Sequence, residues 1–259
     1  NFTFKHHCVF SWTKAAKHHI FLGVLGPDAF RPGKGKQLLM PLLTIGYSTL
    51  ADRAQNIRYP NGADWEYQVH IQKALAKPVK PGVLYLDSLG VAKSRNSALE
   101  HANGTYLLFG DDDVVFHEQA LTEALRYLEH HPEVSLLLTS AVDETGKLRK
   151  NYPTKLTDLT RFNCARAATY EMIVRVEDVK NYGVLFDEDF GAGAKNHLGD
   201  EYIFIADLIS KGAKCVFAPI PIAMHPADSS GARWGAKQDR IARARVFKRV
   251  FGVMAVPVR

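Results

Sequence analysis

The sequence has few cysteines and no long apolar run. Its 259 residues contain three cysteines, Cys8, Cys164 and Cys215, and such an odd, scattered set is neither a disulfide framework nor a zinc site. No stretch of 18 or more apolar residues is present, so we expect no membrane-spanning helix. The apolar run at 20–25 is short and lacks an upstream cleavage site, so we expect no signal peptide. These absences favour a reducing, cytoplasmic compartment.

The excess of positive charge is confined to the two ends of the chain. Residues 1–39 contain six Lys or Arg and one Asp, a net charge of +5, and residues 232–259 contain eight Lys or Arg and one Asp, a net charge of +7. Because the whole chain has a net charge of +6, residues 40–231 have a net charge of −6. A nucleic-acid-binding protein usually carries its basic patch on the folded body, so we do not expect nucleic acid as a partner. An acidic body with basic ends favours a metal-binding domain with surface-binding ends.

The pattern of apolar residues predicts three regions: an extension of unclear role at 1–39, a domain at 40–231 and a basic C-terminal helix within 232–259. In the domain, strands alternate with helices, which predicts an α/β fold with a Rossmann-like, mostly parallel central sheet and helices on both faces. Ligands of such sheets bind beyond the carboxyl ends of the strands. The predicted strands are 41–47, 65–72, 83–86, 105–109, 134–139, 170–176 and 215–218; the predicted helices are 92–102, one around 121–128 and 200–211, and a Gly-rich loop covers 186–199.

Three consecutive carboxylates, Asp111, Asp112 and Asp113, follow the predicted strand 105–109. Neighbouring carboxylates repel one another, and a bound cation relieves the repulsion. Carboxylate oxygens are suitable ligands for Mg²⁺ or Mn²⁺ bridging a diphosphate. The alternative is an acidic turn in solvent, but the position directly after a buried strand favours the metal interpretation.

Other candidate site residues lie on later segments and in the preceding helix. Arg95 could bind phosphate or pair with one of the carboxylates, or it could be an exposed helical arginine. Asp200 and Glu201 begin a helix, where a carboxylate either acts as a general base or stabilises the helix dipole, and spacing alone does not choose between these roles. His225 is of a type that binds Mn²⁺, but it is one of eleven histidines.

Together these segments resemble the inverting glycosyltransferases of family 2, which have the GT-A fold. The resemblance runs from about residue 41 to about residue 225. Five segments carry it. The opening strand is LTIGYS at 43–48, and the helix–strand unit that ends in the acidic motif is KSRNSAL at 93–99 with ANGTYLLFGDDD at 102–113. The acceptor loop is FDEDFG at 186–191, the second acidic motif is GDE at 199–201, and the histidine is His225.

The resemblance implies a metal-dependent inverting glycosyltransferase that uses Mn²⁺ or Mg²⁺ and a nucleotide-sugar donor, with a UDP-sugar favoured. The acceptor it implies is a glycan or a lipid-linked glycan of cell-surface polysaccharide or glycolipid synthesis. It also implies roles by position: nucleotide-sugar binding by Thr44, Gly46, Tyr47, Arg95, Asp111 and Asp112, metal binding by Asp113, Asp111 and His225, and general base catalysis by Glu201, with Asp200 as the alternative.

Two questions stay open at this point. The basic amphipathic segment 240–256 predicts either a helix on the anionic inner face of a membrane or a terminal helix packed on the domain. Two other functions also fit the pattern: a nucleotidyltransferase on a related sheet, although no GxxxxGK[ST] phosphate loop is present, and a non-catalytic nucleotide- or glycan-binding module, since fold alone does not fix function.

Overall fold

The computed structural model describes residues 40–226 and 237–252. The extension predicted at 1–39 lies outside the described residues, as do residues 227–236 and 253–259, so the predicted division of the chain stays a prediction. In the described part, no helix has the length and apolar character needed to span a bilayer.

The alternating pattern of strands and helices is confirmed. The strands are β1 Leu43–Leu50, β2 Trp65–Gln72, β3 Val83–Leu86, β4 Tyr106–Asp111, β5 Val115–Phe116, β6 Val134–Val142, β7 Thr157–Asp158, β8 Met172–Arg175 and β9 Lys214–Met224. The helices are α1 Val91–His101, α2 Glu118–His130, α3 Val176–Tyr182, α4 Asp200–Ser210 and α5 Lys237–Phe251, and short 3₁₀ turns lie at Ala54–Asn56 and Thr169–Glu171. The segment predicted as one strand at 170–176 is divided among a 3₁₀ turn, β8 and the start of α3.

The strands form one mixed sheet in the order β3-β2-β1-β4-β8-β6-β9-β5, with β7 also paired to β9. The β1–β2, β1–β4, β2–β3 and β6–β9 pairs are parallel, whereas β8 is antiparallel to both of its neighbours and β5 and β7 are antiparallel to β9. The α/β class is confirmed, but the sheet is less parallel than the sequence pattern predicts.

The direction of β8 decides which residues meet at the edge of the sheet. Because β8 runs against β4 and β6 runs against β8, strands β4, β6 and β9 all point the same way. The carboxyl ends of β1, β4, β6 and β9 and the amino end of β8 therefore lie along one edge. Ligands of α/β sheets bind at such an edge.

Helices cover both faces of the sheet, as the sequence predicts. Successive residues of β4 alternate between two hydrophobic clusters, with Leu107 and Phe109 on one face and Tyr106 and Leu108 on the other. The first face packs against α1, α3, α4 and α5, and the second packs against the apolar side of α2. Close packing of α1 on β1 requires Gly46, because a Cβ atom there would lie 2.6 Å from the Cβ of Ala98.

Candidate active site

The three carboxylates at the end of β4 have different partners and different exposure. The Asp111 side chain is 28% exposed and faces α1, whereas the Asp113 side chain is 43% exposed. Asp112 is buried and points back towards β1. The three carboxylates therefore point in different directions, although Asp112 and Asp113 both lie near Arg53.

Asp112 joins the turn after β4 to the end of β1. Its carboxylate accepts a hydrogen bond from Thr49 Oγ1 at 2.5 Å and pairs with Arg53. Burial raises the pKa of Asp112, and the contacts with Thr49 and Arg53 oppose that effect. All its described partners belong to the protein, so the predicted contact of Asp112 with a nucleotide sugar stays a prediction.

Arg95 of α1 is buried between carboxylates of β4 and α4. It forms an ion pair with Asp200, and its Nη2 atom lies 3.5 Å from Oδ1 of Asp111. Burial lowers the pKa of Arg95, but the two carboxylates more than offset this, so its pKa is raised overall. Its guanidinium also lies 5.9 Å from the centre of the Phe186 ring. Arg95 is thus not an exposed helical arginine, and it links the acidic motif of β4 to the start of α4.

Removing the Arg95 charge should destabilise the fold. In Arg95→Met, the buried Asp200 carboxylate would lose its counter-ion, and breaking a buried pair in this way costs about 3–5 kcal/mol. We expect a loss of this size in the free energy of unfolding measured by urea titration. Lys93→Met on the same helix is the control, with an expected change within about 0.5 kcal/mol. Equal, small losses in the two variants would contradict the structural role of the Arg95–Asp200 pair.

Asp200 and Glu201 begin α4 beneath the loop that precedes it. Asp200 is buried. Gly191 of that loop has a φ of +94° and lies close to Asp200, since a Cβ atom on this glycine would be 2.7 Å from the Asp200 carboxyl carbon. Glu201 is half-buried, and burial together with the adjacent Asp200 raises the pKa of Glu201 to about 8. A carboxylate with a pKa close to the working pH is well suited to general base catalysis.

Asp113 faces His225, which follows β9. Strand β5 comes directly after the acidic motif and pairs with the end of β9, and this pairing brings the two residues together. Asp113 Oδ1 lies 3.4 Å from His225 Nε2, and the hydrogen bond with His225 lowers the pKa of Asp113. Burial lowers the pKa of His225. Hydrogen bonding to Asp113 and to the Pro226 carbonyl, together with the Asp113 charge, has a larger, opposite effect, so the pKa of His225 is raised overall.

The His225 ring is held in one orientation. Its backbone N–H donates to the Val142 carbonyl at 3.0 Å, its ring stacks on Tyr170 with 4.9 Å between centres, and Nδ1 lies 3.0 Å from the Pro226 carbonyl oxygen. When Nδ1 carries the proton and donates to Pro226, the Nε2 lone pair faces the Asp113 carboxylate. Two acceptor atoms in this position need a proton or a cation between them, and metal-binding histidines are commonly oriented by such a bond from the second nitrogen.

The residues present fit a divalent cation that takes most of its ligands from a substrate. Across residues 40–226 and 237–252, no three His, Cys, Asp or Glu side chains form a ready-made metal site. Asp113 and His225 nevertheless lie close enough together to serve as two ligands, and Mg²⁺-like ions are typically held by one or two protein groups with phosphate oxygens and water. Asp111 faces Arg95 instead, so its predicted metal contact stays a prediction.

The three β1 residues predicted to line a nucleotide pocket have partners within the protein. The Thr44 hydroxyl donates to Glu66 at 2.9 Å and accepts from the Gly104 amide at 2.8 Å. Gly46 lies against Ala98, and Tyr47 is fully buried. Their contact with a nucleotide stays a prediction.

Sequence reasoning missed Arg53 and Tyr170. Arg53 pairs with Asp112 and lies 3.4 Å from Asp113 Oδ2, and Tyr170 forms the stacking partner of His225. The position of Arg53 just beyond a parallel strand could have identified it, because that is where such sheets bind ligands. Tyr170 gave no such signal, since the antiparallel direction of β8 cannot be inferred from its own sequence.

Comparison with known proteins identifies one matching family. Residues 66–182, which include Arg95 and the acidic motif, match the model of glycosyl transferase family 2. The poly(ribitol-phosphate) beta-N-acetylglucosaminyltransferase TarS of Staphylococcus aureus is 28% identical over 114 residues, which cover 43% of this chain and 20% of TarS. The matched region therefore spans about a fifth of the length of this curated relative.

Solved structures share the fold over a larger part of the chain. S. aureus TarS in complex with UDP-GlcNAc superposes with a TM-score of 0.55 at 14% identity, covering 81% of this chain and 66% of that chain. The mannosyltransferase PcManGT from Pyrobaculum calidifontis, in complex with GDP-Man and Mn²⁺, superposes with a TM-score of 0.51 at 17% identity. The superposition covers 83% of this chain and 64% of that chain. At these identities the likeness shows the fold, which is that of the GT-A enzymes.

Proposed function

Residues 66–182 match the model of glycosyl transferase family 2, and from this premise we propose that the chain is a member of that family and transfers a glycosyl group from a nucleotide sugar to an acceptor hydroxyl. One observation carries the proposal: the acidic motif of β4, Arg95 and the first turn of α4 meet at the carboxyl edge of the sheet. The bound UDP-GlcNAc and GDP-Man of the two structural neighbours support a nucleotide-sugar donor, and we favour a UDP-sugar.

On the donor side, Asp113 and His225 would hold Mn²⁺ or Mg²⁺, a choice supported by the Mn²⁺ in the mannosyltransferase neighbour. When bound, the cation supplies positive charge that neutralises the departing diphosphate. Asp113 and His225 are fixed by the β5–β9 pairing, and Tyr170 and Pro226 hold the imidazole ring. The protein would thus orient both proposed ligands before a substrate binds, which would limit the reorganisation needed during the reaction.

On the acceptor side, we assign the general base to Glu201. Asp200 is buried and neutralised by Arg95, whereas Glu201 is half-buried and has a raised pKa. Glu201 would remove the proton of the acceptor hydroxyl while that oxygen attacks the anomeric carbon. The bond to the diphosphate breaks on the opposite side in the same displacement, so the configuration inverts. Asp200 would serve to fix the first turn of α4 through Arg95.

The acceptor we propose is a glycan or a lipid-linked glycan of the cell surface. The name of the S. aureus relative, which acts on poly(ribitol-phosphate), supports an acceptor of this general class.

For location we propose the cytoplasmic side, with peripheral membrane contact of α5 as the alternative to packing on the domain. Within α5, Arg245 bonds Asn196 and Arg249 pairs with Asp187 and Asp207, so the packed alternative has the stronger support.

A thermal-shift screen of UDP-GlcNAc, UDP-glucose and GDP-mannose, each with and without Mn²⁺, tests the donor assignment. A ligand at 100 times its dissociation constant stabilises by about 2.7 kcal/mol, which corresponds to a rise in Tm of roughly 5 °C or more for a domain of this size. We expect such a rise with a UDP-sugar, and only when Mn²⁺ is present. No rise with any nucleotide sugar would contradict the proposal.

Turnover assays separate the enzyme from a non-catalytic module. The donor that raises Tm should be hydrolysed slowly by itself and consumed faster when a cell-surface glycan fraction is added as acceptor. Binding without hydrolysis or transfer would support the non-catalytic module. Release of inorganic pyrophosphate from a nucleoside triphosphate and a sugar phosphate would support the nucleotidyltransferase instead.

A further inference from the structure

The loop at 186–199 covers the start of α4. It contains no helix or strand in the described chain, apart from a single bridge between Phe190 and Asn196. The Ala192 carbonyl accepts a hydrogen bond from the Val91 amide at 3.0 Å, and Gly191 lies directly on the Asp200 carboxylate. The conformation of this loop therefore determines which groups lie beside Asp200 in the first turn of α4, the turn that also contains Glu201.

Helix α5 contacts this loop near both of its ends. Arg249 Nε donates to Asp187 Oδ2 at 2.8 Å near the start of the loop. Arg245 Nη1 donates to Asn196 Oδ1 at 2.8 Å near its end, and the same Asn196 side chain donates to the Asp189 carbonyl within the loop.

The same helix is fixed to α4. Both terminal nitrogens of Arg249 pair with the Asp207 carboxylate, at 3.1 and 2.7 Å. Val246 and Val250 are buried in the core, and Val246 lies so close to Gly199 that a Cβ atom on that glycine would be 2.5 Å away. One guanidinium, that of Arg249, thus joins the loop to the helix whose first turn carries the candidate base.

We infer that α5 positions the acceptor side of the site, with Arg249 and Arg245 holding the 186–199 loop in place over Asp200 and Glu201. The inference rests on the proposed function and gives a role to the basic C-terminal helix that differs from membrane contact. Arg249 touches no reacting group, so it is a positioning residue that acts through the loop. Its ion pairs are partly exposed, and such pairs contribute little to overall stability. The consequence of losing them should therefore appear in the order of the loop and in transfer rather than in unfolding.

The test compares Arg249→Gln and Arg249→Lys with Lys248→Gln, which removes a neighbouring exposed charge of the same helix. Hydrogen exchange of the whole chain should show faster exchange in residues 186–199 for Arg249→Gln, with little change elsewhere and a Tm close to that of the wild type. Misplacing a reacting group by about 1 Å can cost roughly 10²-fold in rate. We expect about a tenfold fall in kcat/KM for the acceptor, an unchanged dissociation constant for UDP, partial recovery in Arg249→Lys and no effect of Lys248→Gln.

The inference would be overturned if residues 186–199 of Arg249→Gln exchanged hydrogen at the same rate as in the wild type. It would also be overturned if these residues exchanged faster but the rate of glycosyl transfer did not change. A loss of UDP affinity equal to the loss of transfer would also overturn it, because the effect would not be confined to the acceptor side. If the wild-type chain itself shows no transfer with any donor, the proposed function fails. The exchange comparison needs no substrate, so it still decides whether α5 holds the loop.

Discussion

Replacing Asp113 with alanine is expected to abolish glycosyl transfer even in a large excess of Mn²⁺. The substitution removes the carboxylate that faces His225 and that would share the cation with the diphosphate of the donor. Losing one preorganised electrostatic contact typically costs about 10²–10³-fold in kcat. Asp113→Ala should cost at least about 10³-fold, because both donor positioning and charge stabilisation are lost. The measurement is the initial rate of transfer at increasing Mn²⁺ concentration.

The fold should tolerate this substitution because the Asp113 side chain is partly exposed and lies beyond the end of β4. The matched control is Asp87→Ala, which removes an equally charged, exposed side chain just after β3, away from the acidic motif. We expect the control to retain the wild-type rate and both variants to retain the wild-type Tm within a few degrees. Near-normal turnover of Asp113→Ala at any Mn²⁺ concentration would reject the metal-binding role of this residue.

The fold could be predicted from the sequence wherever the signal is local. The alternation of side chains in 65–72 and the short apolar run at 83–86 define β2 and β3, whose bounds are those predicted. The direction of β8 could not be predicted, because pairing direction depends on residues far away in the sequence. For that reason the sheet was expected to be mostly parallel, and the convergence of Tyr170 with His225 was not foreseen.

The residues of the candidate site could be proposed from the sequence, but their arrangement could not. The acidic motif after β4 and the carboxylates of α4 were identified from their positions at the ends of a strand and a helix. The sequence could not show that Asp111 turns towards Arg95, Asp112 towards Thr49 and Arg53, and Asp113 towards His225 and Arg53. That separation depends on the turn after β4 and on burial against β1 and α1. Burial also identifies Arg95 as the link between the two acidic motifs, since its own sequence context equally suits an exposed helical residue.

The first turn of α4 contains two carboxylates, and their different surroundings predict different effects on catalysis. Arg95 neutralises Asp200, whereas Glu201 has no such counter-ion bond among the described residues and its pKa is raised to about 8 by burial and by Asp200. Glu201→Gln should therefore lower kcat by about 10²–10⁴-fold, the usual contribution of a general base. UDP binding should be unaffected, and Glu129→Gln on the exposed side of α2 should leave kcat unchanged.

The pH dependence of kcat provides an independent test of this assignment. A base must be deprotonated to act, and Glu201 with a raised pKa is protonated below that pKa and ionised above it. In the wild type, kcat should therefore rise with pH through about 8 and level off at higher pH, whereas an unperturbed glutamate would already be fully ionised near neutral pH. The measurement is kcat from pH 6 to pH 10 at saturating donor and acceptor for the wild type and Glu201→Gln. The variant should lose the rise because its amide does not titrate, and a rise that persists in the variant would assign the titration, and with it the role of the base, to another group.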